Sequence, residues 1–128
     1  MYWGHDTNCA RTMLTCLGTL FDTPIELQTM RAAVGLHGAG GFGAQCGLVE
    51  GALMFLGIYH SERGASDRAI AGICHEFAQA FTEKFSSLTC AGLRPGGFTD
   101  HDPPHACERL TNEAIMFASE FITKAMEA

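Results

Sequence analysis

Between Asp67 and Leu88, apolar side chains recur at steps of three and four residues: Ile70, Ile73, Cys74, Phe77, Phe81, Phe85 and Leu88. That spacing puts them on one face of an α-helix, and a face so rich in phenylalanine must be buried against a partner surface. Ser66, ahead of Asp67, is placed to cap the helix. No segment alternates apolar and polar residues for long enough to predict a strand, so the partners are other helices. The predicted fold is all-α, a compact bundle of about five helices with a Gly-rich loop before the third helix.

The remaining helices follow from caps and breakers. Asp6 or Asn8 caps a first helix that runs to about Phe21, with Met13, Leu17, Leu20 and Phe21 on one face. Thr23-Pro24 predicts a restart, with Thr23 as cap, Pro24 at the first helical position and Glu26 in the first turn; this helix ends between Gly35 and Gly38. A third helix opens close to Cys46 and ends before Gly64. The stretch TCAGLRPGGFTDHDPP, from Thr89 to Pro104, is dense in Gly, Pro and Asp and predicts a loop. The last helix starts at Pro103-Pro104 and runs to about Met126, burying Leu110, Ile115, Phe117 or Ala118, and Phe121-Ile122. With no repeat and no linker, residues 1–128 read as a single domain, large enough to bury roughly two thirds of its unfolded surface.

The net charge is −6, and no Lys or Arg cluster stands out. That balance argues against a nucleic-acid partner or an anionic membrane surface. The N-terminus MYWGHDTNCARTML lacks a basic segment followed by an apolar one, as export requires. The longest apolar stretch, Leu48 to Tyr59, is broken by Glu50 and is too short to span a bilayer. A soluble, cytoplasmic protein is expected.

The segment GLHGAGGFGAQCGLVEGALMFLG, Gly35 to Gly57, surrounds Cys46 with glycine. Gly38 to Gly43 matches G-x-G-x-x-G, but that fingerprint binds a dinucleotide only between a strand and a helix, and here a helical pattern precedes it. The match reads as coincidental. Gly43, Gly47 and Gly51 fall four apart, forming a stripe without side chains if the helix reaches back to Gly43. Each interior glycine costs ~1 kcal/mol relative to alanine, so a closely approaching helix or a bound cofactor should compensate.

The six cysteines are Cys9, Cys16, Cys46, Cys74, Cys90 and Cys107. In a reducing compartment they point to metal binding or redox chemistry rather than to structural disulfides. No pair forms Cys-x-x-Cys, which excludes a zinc ribbon and a thioredoxin-type pair, and no Cys-x-x-Cys-His motif is present for covalent haem. Cys9, Cys46 and Cys107 each fall in the first turn of a predicted helix, where unpaired N–H groups and the positive dipole end stabilise thiolate. Cys90 lies in the loop. Cys74 shares a face with Ile70, Phe77 and Phe81 and reads as a buried small hydrophobe. Cys16 sits about 10.5 Å along the helix from Cys9, too far for an unstrained bridge, and reads as packing.

Other chemistry-bearing residues weigh less. His101 and His105, interleaved with Asp100 and Asp102, resemble a solvated polar loop more than a ligand set. His5 precedes Cys9 by four residues, His37 borders the glycine loop, and His60 and His75 fall on helix surfaces. Glu50 shares a helical face with Cys46, either as a proton acceptor or in a structural role. There is no Ser/His/Asp arrangement, P-loop or paired-carboxylate motif.

Asn8-Cys9-Ala10, the Gly-rich loop, the box Cys46-Gly47-Leu48-Val49-Glu50-Gly51-Ala52, then Cys90 and Cys107, together resemble the redox-active family with the signature C-GCAxxG-C-C. The resemblance covers nearly the whole chain, with Leu48 where alanine is usual in the box. It implies a small, mostly helical protein with redox-active or metal-binding cysteines at Cys9, Cys46, Cys90 and Cys107. Related sequences form part of split-Soret-type cytochromes, where an iron–sulfur site is inferred; their haem motifs are absent here. The leading expectation is electron transfer or redox sensing by a four-cysteine metal–thiolate site, iron–sulfur first, with Gly43, Gly47 and Gly51 beside the cofactor. The alternatives are a metal-free dithiol–disulfide protein and a structural zinc or scaffold protein. The implied partner is a redox protein, a small thiol or an electron carrier, and self-association is left open.

Overall fold

The computed structural model describes residues 8–93 and 108–127. Five helices carry the fold: α1 (Cys9–Leu20), α2 (Leu27–Ala32), α3 (Gly47–Glu62), α4 (Asp67–Phe85) and α5 (Glu108–Glu127). Among the described residues, single turns at Ala33–Gly35, Gly38–Gly41 and Cys90–Leu93 complete the helical content. Among the described residues no strand forms; one isolated antiparallel bridge joins Gln45 to Thr89. The start of α5 at Pro103-Pro104 lies outside the described residues.

Helix α1 is the centre of the bundle. Ala10, Thr12, Met13, Leu14, Cys16, Leu17 and Gly18 are all buried, an arc wider than one amphipathic face. The breadth follows from position, because α1 packs against both α3 and α5. The expected face was correct at Met13 and Leu17, but Leu20, at the exit of the helix, is 59% exposed. Asn8 is the cap: its side chain accepts a hydrogen bond from the Arg11 amide.

Helix α2 begins three residues later than Thr23-Pro24 predicts, with Glu26 at its N-cap. The reason lies in Thr23, which closes α1 instead. Its amide donates to the Gly18 carbonyl at 2.8 Å and its hydroxyl to the Phe21 carbonyl at 3.1 Å. A threonine spent on one helix end is not available to cap the next.

The glycine run has its own conformation. Gly38, Ala39, Gly40 and Gly41 all have positive φ, at 72°, 58°, 68° and 84°. This is one turn of left-handed helix, closed by the Gly41 amide donating to the His37 carbonyl at 3.0 Å. A left-handed turn costs an L-residue about 1–2 kcal/mol per position, and glycine escapes most of that cost. Ala39 alone bears it. The glycines are therefore a backbone requirement, and the dinucleotide reading has no support here.

Two aromatic clusters seal the bundle. Phe77 of α4 meets Phe81, Phe117 and Phe121 with ring centroids 5.3–5.9 Å apart, joining α4 to α5. Phe21, Phe55 and Tyr59 form the second, with centroids 5.6–5.9 Å apart, joining the end of α1 to α3. On α5, Ile115, Ala118 and Ile122 are buried, as the spacing predicts. Ser66 caps α4 by accepting from the Ala69 amide at 3.1 Å.

Candidate thiol site

The glycines of α3 bring Cys9 against the residue that follows Cys46. Gly47 and Gly51 present bare backbone to α1, and α1 fills the space. A Cβ on Gly51 would lie 2.5 Å from the Ala10 carbonyl oxygen and 3.0 Å from the Met13 Cβ. A Cβ on Gly47 would lie 2.9 Å from the Cys9 Cβ and would collide with the Leu36 carbonyl. The residue directly after Cys46 is thus in contact with Cys9. Close helix packing is the structural use of this stripe, so Gly47 and Gly51 act on the site by setting the α1–α3 distance. Gly43, with φ at 90°, lies in the loop and does not extend the stripe.

Cys46 is the N-cap of α3 rather than a residue of its first turn. Its carbonyl accepts from the Val49 and Glu50 amides, each at 3.0 Å, while its own amide donates to the Leu88 carbonyl at 2.8 Å. It is 4% exposed. Cys9 is the first residue of α1 and is half-buried. Both sulfur-bearing residues therefore sit at helix N-termini, where the local field favours thiolate.

The Cys46 amide and the Gln45–Thr89 bridge draw in a third segment. Thr89 precedes Cys90, so the backbone of Cys90 follows directly on the residue bridged to Gln45, the neighbour of Cys46. Cys90 opens a four-residue helical turn, Cys90–Leu93, where the Gly/Pro/Asp composition predicted plain loop. The turn forms because the Thr89 side chain accepts from the Gly92 amide at 2.9 Å, a local cap that composition alone did not reveal. Cys107, His5, His101 and His105 lie outside the described residues. Among the described residues no three His, Cys, Asp or Glu side chains form a metal-binding group.

The other two cysteines separate as packing residues, with one correction. Cys16 is 2% exposed in the core. Cys74 is half-buried and packs against the core from its edge, because the buried line of α4 runs through Ile70, Phe77 and Phe81. Burial still raises its thiol pKa above the ordinary value.

Glu50 is tied to the site by the Gln45 side chain, whose amide donates to the Glu50 carboxylate. Gln45 thus spans Cys46, joining the residue before it to the first turn after it. The sequence did not single out Gln45; its proximity to Cys46 was the available signal. His37 and His75 are exposed. His60, expected on a helix surface, packs edge-on to Tyr59 at 5.3 Å, and its Nε2 is buried without a hydrogen-bond partner. Burial first, and the nearby Arg63 charge second, lower its pKa.

The family model described as "Putative redox-active protein (C_GCAxxG_C_C)" matches residues 7–121. No curated protein and no solved structure matches this chain.

Proposed function

Because the chain belongs to this C_GCAxxG_C_C family, we propose that it carries out redox chemistry at a thiolate site built on Cys9 and Cys46, with Cys90 and Cys107 completing the set. The observation that supports this is the approach of α1 to Gly47, which brings two helix N-termini, each bearing a cysteine, into one place. Cys16 lies about 10.5 Å further along α1 from Cys9, which sets it apart from that place.

The donor chemistry fits a metal–thiolate group. Thiolates are soft ligands that suit iron–sulfur clusters or zinc, and helix N-termini lower the cost of holding them ionised. Cys9, Cys46, Cys90 and Cys107 would hold the group, and an iron–sulfur centre so bound would supply one-electron transfer. The chain's own part is to keep the thiols deprotonated and to shield Cys46 from solvent. It also holds the Cys90 segment against Cys46 through the Leu88 carbonyl. Exchange with a redox protein or a small electron carrier in a reducing compartment follows from that role. Among the described residues no helix is long and apolar enough to cross a membrane.

The competing reading is a metal-free dithiol, favoured by the direct contact of Cys9 with the residue beside Cys46. Anaerobic purification with iron, zinc and acid-labile sulfide analysis and an absorption spectrum separates the two. Iron, sulfide and broad visible absorption that bleaches on reduction are expected. Colourless protein with reversible loss of two thiols on oxidation would transfer the function to the dithiol. Stoichiometric zinc without colour would make the site structural.

A further inference from the structure

The residue before Cys9 is bonded more heavily than a helix cap requires. Asn8 Oδ1 accepts from the Arg11 amide at 2.9 Å, which is the capping bond. Its Nδ2 then donates both protons to carbonyls on another segment, Ala33 at 2.8 Å and Val34 at 3.0 Å. One turn later, Arg11 Nε donates to the Met30 carbonyl at 2.7 Å on the same stretch of chain. That stretch leads to Leu36, whose carbonyl faces Gly47. A continuous frame therefore runs from Asn8 through residues 33–36 to the residue beside Cys46.

We infer that Asn8 is a positioning residue for the thiol site, setting the placement of Cys9 relative to Cys46 through its two bonds to the Ala33 and Val34 carbonyls. The inference rests on the proposed thiolate site. Capping alone does not select asparagine, since serine and aspartate cap about as well. Neither can donate two protons. Serine has one hydroxyl hydrogen, too few to serve two carbonyls, and ionised aspartate has none and would face those carbonyls with like partial charge. Asparagine alone both caps α1 and ties its start to the neighbouring segment.

The test uses reduced, metal-free protein and phenylarsine oxide, which bridges two neighbouring thiols. Two S–H bonds break, two As–S bonds form, and the oxide oxygen leaves as water. Binding affinity is measured for the wild type, Asn8→Ser and Asn8→Asp, with the bridged pair assigned by peptide mass mapping and helix content followed by circular dichroism. Bridging of Cys9 to Cys46 in the wild type is expected. Both variants should keep wild-type helix content at 25 °C and bind the arsenical at least about tenfold more weakly, because small misplacements of paired groups cost one to two orders of magnitude. Helix content tracks the structural role of Asn8, whereas affinity tracks placement. Wild-type protein that does not bridge Cys9 to Cys46 would overturn the shared site itself. Bridging in the wild type with unchanged affinity in both folded variants would overturn only the role of Asn8. Loss of the folded state in both variants would also overturn it, making Asn8 a determinant of folding instead.

Discussion

His60 shows how one side chain can write a pH dependence into the fold. Its ring is held neutral by burial and by Arg63, whose guanidinium lies 3.5 Å above the Tyr59 ring. The unfolded chain takes up the proton more readily than the folded one. The stabilising contribution is therefore present above about 6.5, the ordinary value, and is lost as pH falls through the lower folded value. His60→Gln should flatten the fall in thermal midpoint between about pH 7 and pH 5. A midpoint that falls as steeply in the variant would assign the acid sensitivity to other groups. The cysteines make a second contrast at this scale. Cys74 should alkylate slowly, with an apparent pKa above the ~8.5 of an ordinary thiol, because burial disfavours its thiolate. In the reduced, metal-free protein, the pH profile of alkylation at Cys9 and Cys46 tests whether their helix N-termini stabilise thiolate. Cys46 should lag in absolute rate because it is 4% exposed, so the pH profile and not the rate carries the comparison.

At the level of elements, the contact that matters is α1 against α3. Gly51 meets the backbone of α1, which cannot rotate away as a side chain can. Gly51→Leu should therefore destabilise the protein by about 1–3 kcal/mol through overpacking. Denaturant unfolding measures it, and a wild-type midpoint would show that the helices separate without cost. Gly57, on the same helix, has open space where a Cβ would go. Gly57→Ala is the control, expected to be stabilising or neutral from helix propensity alone. The pair distinguishes close approach from a general intolerance of α3 to larger residues.

For the whole molecule, the question is whether the thiol site holds the fold or the fold holds the site. Phe55, Tyr59, Phe77 and Phe81 are fully buried along with Met13, Leu14 and Leu17, a core drawn from three helices. Small metal-dependent domains unfold without their metal because they lack such a core. Here, protein stripped with a chelator under reducing conditions should keep its helical circular dichroism while its thermal midpoint falls. Collapse of the helical signal would mean that the site is a structural staple.

Period and caps in the sequence determined most of the architecture. Ser66 and the phenylalanine spacing of α4, Asn8 at α1 and the extent of α3 are local features, set by hydrogen bonds within a few residues and by which face carries apolar atoms. The places of Cys9 and Cys46 at helix starts were also legible, since caps and breakers near a helix start are properties of the chain itself. Tertiary structure decided the rest. Thr23 was claimed by the end of α1, and α1 became buried over a wide arc because helices cover it on more than one side. Cys74 fell at the edge because α4 buries only a narrow line. The glycines divided between a left-handed turn and a helix contact, two uses that look alike in one dimension and differ only in φ and in what lies across the gap. Asn8 and Gln45 gained their ties to distant segments in the same way: a hydrogen bond between residues far apart in sequence leaves no periodic trace to read.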